Sequence, residues 1–169
     1  MNEPAMGKIM DKIKPLIIGN NILDIGTGFG TVIKALIKNE DMSITSIDPE
    51  MWRFEQLKNT FLDEIYKNRL KLLKLSIEET GFRDKQFTTS ISLFSAHHFT
   101  DPIRAMNEID RITSNAIIIA DWSPGSSGIS NPHTPEELQL SMDIIINYAM
   151  GHGYRINNYK MWYFVYRKK

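Results

Sequence analysis

The sequence predicts a doubly wound α/β fold, in which a mainly parallel sheet carries helices on both faces. Three observations lead there. Short apolar strand-like runs alternate with amphipathic helical stretches along the 169 residues, with no internal repeat and no low-complexity segment. Ala116-Ile117-Ile118-Ile119-Ala120 is apolar without alternation, as a central parallel strand covered on both faces must be. Finally, Ile22-Leu23-Asp24-Ile25 runs straight into Gly26-Thr27-Gly28-Phe29-Gly30, a turn from strand to helix with few side chains.

The elements follow in order. Met6, Ile9, Met10 and Ile13 recur at helical spacing, so residues 1–19 form a helical segment that packs across the sheet or covers the crevice, ended or kinked at Lys14-Pro15. After the first strand and glycine turn, Val32, Ile33, Leu36 and Ile37 give the second helix its apolar face. Ile44 to Asp48 reads as the second strand. Pro49 starts a helix whose stripe is Phe54, Leu57, Phe61 and Ile65, reaching about Asn68. Leu70 to Lys74 is a third strand and Phe87 to Phe94 a fourth. Asp101-Pro102 supplies an N-cap and a first-turn proline for a helix that turns Ile103, Met106, Ile109 and Ile112 inward. Thr134-Pro135-Glu136-Glu137 forms a capping box before a helix with Leu138, Met142, Ile145 and Ala149 on one face, ended by Gly151-His152-Gly153. Tyr154 to Tyr166 is too short for another crossover and makes a closing antiparallel pair or one long edge strand. Trp52, Trp162 and Tyr163 are packing residues, and the abundant methionines are core filler.

Composition bounds the function. Twenty basic and twenty acidic residues balance and are scattered, which gives no electrostatic footprint for nucleic acid or an anionic membrane. Arg167-Lys168-Lys169 reads as a solvated end. The absence of cysteine excludes disulfides, thiolate metal sites and cysteine nucleophiles. Charges through the first fifteen residues fit no signal peptide, and no run approaches a membrane span, so a cytoplasmic protein is expected, its 169 residues forming one domain.

The chemistry is concentrated at the first two strand ends. Glycines at 26, 28 and 30 let a ligand approach the backbone closely, and Gly30 packs tight against the strand. The first amides of the following helix face the crevice and suit a carboxylate or phosphate. Asp48 ends the next strand, where an acid about 20 residues beyond the glycines accepts from ribose hydroxyls. Asp24, a carboxylate in an apolar strand, needs loop amides or a cationic ligand group as partner. A dinucleotide fingerprint places its third glycine one position later, at Thr31, so the spacing points away from NAD.

These motifs resemble the class I S-adenosylmethionine-dependent methyltransferases. Asp24 to Gly30 matches the family's first motif, Asp48 its second, and Phe87 to Phe99, with the turn Ser95-Ala96-His97-His98-Phe99, resembles the fourth strand of the small-molecule branch, over about residues 20–121. The resemblance implies a Rossmann-like seven-stranded sheet of order 3-2-1-4-5-7-6 with the last strand antiparallel. It implies S-adenosyl-L-methionine as cofactor, S-adenosyl-L-homocysteine as product, and in-line transfer to a small-molecule acceptor. Asp24 and the loop residues Gly26, Thr27, Gly28, Phe29 and Gly30 hold the methionyl part and Asp48 the ribose. Pro49 and Met51 flank the adenine, Ser76 and Ile77 lie at its edge, and Ser95 reaches in from the fourth strand. Ser76 and Thr88 stand where the family commonly has acids.

Positioning the nucleophile is the main catalytic task, and no base is strictly required. His97 and His98 are the candidate bases; on extended backbone adjacent side chains point opposite ways, so at most one faces substrate. His98, Trp122 and His133 are candidate substrate contacts, the last two bracketing the Gly/Ser/Pro-rich connection 122–133. No ligand spacing around the histidines indicates a metal. No Asn-Pro-Pro-Tyr-like tetrapeptide occupies Ser95 to His98, which argues against methylation of adenine or glutamine amino groups. The N-terminal helix, the 122–133 loop or a second subunit closes the pocket, a homo-oligomer included. Two other readings of the same motifs stay open: a non-catalytic S-adenosylmethionine-binding module, and an NAD-dependent oxidoreductase.

Overall fold

The computed structural model describes residues 6–50, 53–128 and 132–169, and of Met6 and Gly7 only the backbone. Seven strands form one sheet: β1 (Asn21–Ile25), β2 (Ser43–Asp48), β3 (Leu70–Lys74), β4 (Phe87–Leu93), β5 (Thr113–Trp122), β6 (Arg155–Asn158) and β7 (Trp162–Lys168), in the order β3-β2-β1-β4-β5-β7-β6. β1 to β5 pair in parallel, and β7 runs antiparallel between β5 and β6. The closing segment is therefore the antiparallel pair. β5 outruns its apolar stretch at both ends: β7 pairs with it as far as Trp122, and Thr113 pairs with Phe87 of β4.

Helices α1 (Met6–Ile13), α2 (Thr31–Leu36), α3 (Phe54–Thr60), α4 (Leu62–Tyr66), α5 (Pro102–Ile112) and α6 (Pro135–Gly151) cover the sheet. Two apolar layers result. On one face Ile9, Met10 and Ile13 of α1 pack with Ile33 and Leu36 of α2, Leu57 of α3 and Ile118 of β5. On the other, Met106 and Ile109 of α5 and Met142 and Ile145 of α6 pack on Leu23, Ile117 and Ile119. Ile117, Ile118 and Ile119 are all fully buried, as a strand covered on both faces requires.

Two local expectations are corrected. The stripe from Phe54 to Ile65 is two short helices rather than one, since the chain leaves helical geometry at Phe61 (φ −120°, ψ 33°), and the first starts at Phe54, not Pro49. Ile103 faces solvent at 45% exposure; Ala105 takes the buried position on α5. Of the two places expected for the N-terminal helix, α1 takes the one against the sheet, and none of its described residues lines the crevice. The predicted caps are present: Asp101 accepts from the Arg104 amide, and Thr134 and Glu137 form the reciprocal capping box. Trp162 and Tyr163 are buried; Trp52 lies outside the described residues.

Candidate active site

A crevice of about 670 Å³ opens at the carboxyl ends of β1, β2 and β4, where the strand order reverses. Parallel strands deliver their last residues to one edge of the sheet, so Asp24, Asp48 and Ser95 meet there although they lie far apart in sequence. The Gly28 amide donates to Asp48 Oδ2 at 3.2 Å, while the Glu50 amide donates to Oδ1 at 2.9 Å. The glycine turn and the second acid thus frame one opening.

Gly26 carries a φ of +84°, and a Cβ there would lie 2.3 Å from Ser95 Cβ. Both facts require glycine. Ser95 occupies the vacated space, donating to the Ile25 carbonyl at 2.7 Å and bonding Ser92 Oγ at 2.8 Å, and so fixes the fourth strand's turn against the first. Gly30 lies behind the loop, not on the crevice wall and not against the strand: a Cβ there would meet Leu57 Cδ2 of α3 at 2.6 Å.

Asp24 is buried and bound by a hydroxyl relay. Ser46 Oγ donates to Asp24 Oδ2 at 2.7 Å, and Thr27 Oγ1 lies 2.7 Å from Ser46 Oγ. Burial pushes the Asp24 carboxyl up to about 7; the Ser46 hydrogen bond opposes the rise and the charge of Asp48 adds to it. A cation arriving in the crevice would reverse that balance.

Thr27, Phe29, Pro49, Ser76 and Ile77 also line the crevice. Phe29 is 59% exposed and lies under the Arg53 guanidinium, 4.0 Å from the ring centroid. Met51 lies outside the described residues. Ser76 hydrogen-bonds Glu78, whose other oxygen accepts from the Thr100 amide at 2.8 Å. Glu78, which sequence reading missed, therefore supplies an acid on the wall where Ser76 departs from the family pattern. Thr88 sits far from the crevice, exchanging hydrogen bonds with the Asn21 backbone.

At the other end stand Phe94, His98 and Trp122, the last stacked on Phe94 at 4.0 Å between centroids. Residues 96–98 form a 3₁₀ turn rather than extended chain, so both histidine rings lie on one side, 4.0 Å apart. His97 turns away from the crevice: its Nδ1 lies 2.7 Å from Asp121 Oδ1, and its amide donates to Oδ2 at 2.5 Å. Asp121 was not singled out from sequence, although it is the next-to-last residue of an apolar strand, as Asp24 is. His133 is not a crevice-lining residue but brings its ring to 4.8 Å from that of His97 and 5.0 Å from that of His98. Burial, together with the two neighbouring imidazoles, holds His98 below its ordinary range.

The methyltransferase domain family matches residues 23–119, more than half of the chain, and the protein belongs to that family. With its sheet order and crevice, this places it among the class I S-adenosylmethionine-dependent methyltransferases. A sarcosine/dimethylglycine N-methyltransferase of Aphanothece halophytica is 23% identical over 108 residues, 64% of this chain and 39% of that protein. The chain thus spans well under half the length of that curated relative. Among solved structures, a SAM-dependent methyltransferase from Aquifex aeolicus superposes with TM-score 0.69 at 21% identity, covering 97% of this chain and 89% of that one. One from Mesorhizobium loti gives 0.74 at 12% identity, covering 98% of both. The [4+2]-cyclase SpnF gives 0.71 at 15% identity, covering 89% and 57%. At such identities the likeness is one of fold, and the fold alone does not choose the chemistry. No helix among the described residues is long and apolar enough to cross a membrane.

Proposed function

We propose that the protein transfers the methyl group of S-adenosyl-L-methionine in line to a small-molecule acceptor. The observation that carries this is the frame formed by the Gly28 amide and Asp48 at the mouth of an open crevice. Asp48 and Glu50 lie where ribose hydroxyls need acceptors, Ser76 and Glu78 where the adenine edge needs one, and Asp24 where the ammonium or sulfonium charge needs a counter-ion. Phe29, Pro49 and Ile77 supply apolar contact with the rings. The sulfonium methyl is already activated, so the chain's work is to hold acceptor and methyl in line; such positioning is worth roughly 7–11 kcal/mol.

The acceptor reaches the methyl between Phe94, His98 and Trp122. A crevice of about 670 Å³ shared with the cofactor leaves room for a small acceptor, and the small amines named in the Aphanothece relative fit that size. His98 is the side chain placed to take a proton from the acceptor. The experiment is turnover of methyl-labelled S-adenosylmethionine against a panel of small amines, thiols and hydroxy compounds. Label transfer to one chemical class supports the proposal. Cofactor binding without transfer to any class would replace it with a non-catalytic binding module.

A further inference from the structure

Beside the crevice the fold assembles something spacing along the chain did not suggest. His97 and His98 come from the turn after β4, His133 from the far end of the loop after β5, and one ring nitrogen of each lies within 4.8 Å of the others. We propose that His97, His98 and His133 form a three-histidine site for a divalent transition metal, zinc foremost, with its fourth position toward the cofactor crevice. Three neutral imidazoles plus one open position is the donor set of catalytic rather than structural zinc sites. Imidazole donors also suit copper, iron and nickel, and the test below compares zinc with nickel.

Four observations support the site. His97 presents its Nδ1 to Asp121 at 2.7 Å, and Asp121 is fully buried and held in place by the His97 and Trp122 amides at 2.5 and 2.7 Å. This is the carboxylate–histidine arrangement that fixes the tautomer of a metal ligand and directs its Nε2 outward. A second carboxylate, that of Glu137, stands 3.6 Å from the Nδ1 of His133, within ion-pair reach. Glu137 is itself pinned by the capping box, accepting from the Thr134 amide at 2.9 Å. The three ring centroids lie 4.0, 4.8 and 5.0 Å apart, so the imidazoles converge on one small volume. Lastly, bonds of about 2.0–2.1 Å in a tetrahedral site hold nitrogens about 3.3 Å apart, and donor atoms within 4.8 Å of one another exceed that spacing by at most about 1.5 Å.

His98 alone of the three lines the crevice, so the ion's open position faces the acceptor end. An acceptor hydroxyl or thiol bound there loses its proton to solvent more readily. Its lone pair then forms the bond to the methyl carbon while the carbon–sulfur bond breaks, the electron pair staying on sulfur. With the ion bound, His98 serves as its ligand and the ion, in place of the His98 imidazole, promotes loss of the acceptor proton; this role rests on the methyl-transfer reading, and the ion site itself does not.

The test is a calorimetric titration of the tag-free, chelator-treated full chain with Zn²⁺, repeated with Ni²⁺, Co²⁺ and Mg²⁺. One ion per chain is expected, with Mg²⁺ not bound, a higher melting temperature on Zn²⁺ addition, and the d–d absorption of four-coordinate Co²⁺. His133→Ala is expected to weaken Zn²⁺ binding at least 100-fold, and Asp121→Asn roughly 10–100-fold through His97. Circular dichroism of each variant reports folding, and the wild-type melting shift stands even if a variant does not fold. Absence of saturable Zn²⁺ binding by the wild type, or unchanged affinity in folded His133→Ala, would overturn the site. S-adenosylhomocysteine affinity of the metal-free protein, measured alongside, reports the cofactor reading separately.

Discussion

The amide of Gly28 and the carboxylate of Asp48 meet at 3.2 Å, joining the turn after β1 to the end of β2. One oxygen of Asp48 is engaged by the glycine turn and the other by the Glu50 amide at 2.9 Å, so the side chain is fixed before any ligand arrives. A carboxylate oxygen has two acceptor sites, and each keeps one for a ribose hydroxyl.

Asp48→Ala is therefore expected to weaken S-adenosylhomocysteine binding by about 1–3 kcal/mol, the range for losing hydrogen bonds to a charged group. Calorimetry on the wild type and variant checks this. Unchanged affinity would remove Asp48 from the ribose site.

Gly26→Ala combines two costs, a φ of +84° and a Cβ 2.3 Å from that of Ser95. The backbone strain alone is about 1–3 kcal/mol. The variant is expected to melt lower and to lose cofactor affinity, and Gly26→Ala/Ser95→Gly to regain part of the melting temperature by removing the clash. No recovery in the double variant would mean that the contact with Ser95 is not what requires glycine.

How much of this was legible in the sequence follows from the range of the forces involved. Strand order, the glycine turn, Asp48 and the capping box at Thr134 follow from local patterns and a family resemblance, and the fold reproduces them. The break at Phe61 was not legible, because Phe54, Leu57, Phe61 and Ile65 keep helical spacing across it. Gly30 was assigned to the strand and the ligand, yet it is constrained by a φ of +73° and by Leu57 on α3, a contact only the packed helices create. The histidine cluster was invisible for the same reason: a 3₁₀ turn at 96–98 puts two rings on one side, and His133 arrives from 35 residues further along, as the numbering from His98 gives. Asp121 could have been found by the signal that exposed Asp24, an acid within an apolar strand.

Asp24 sets a pH dependence. Its folded-state pKa of about 7 lies above the ordinary 3.8, so between those values the native state binds more protons than the unfolded chain. The stabilisation from protonated Asp24 is complete below about 3.8, declines as pH rises and is lost above about 7. Thermal melts of Asp24→Asn against wild type are expected to favour the variant increasingly from about pH 5 to about pH 8. Cofactor affinity runs the other way: a cationic cofactor group selects the carboxylate, so affinity rises from about pH 6 to about pH 8 in the wild type and stays flat in Asp24→Asn. A flat wild-type profile would separate Asp24 from the cofactor charge.

Thr134→Ala removes half of the capping box at the start of α6. The expected loss is about 1 kcal/mol of stability by denaturant unfolding. A loss below about 0.3 kcal/mol would show that Glu137 and tertiary packing hold this helix end without the threonine.

The most direct test of the account titrates the chain calorimetrically with S-adenosylhomocysteine and, separately, with NADH. The account predicts saturable one-to-one binding of the first, sharply reduced by Asp48→Ala, and none of the second. Binding of NADH in preference, or no binding of S-adenosylhomocysteine, would contradict it.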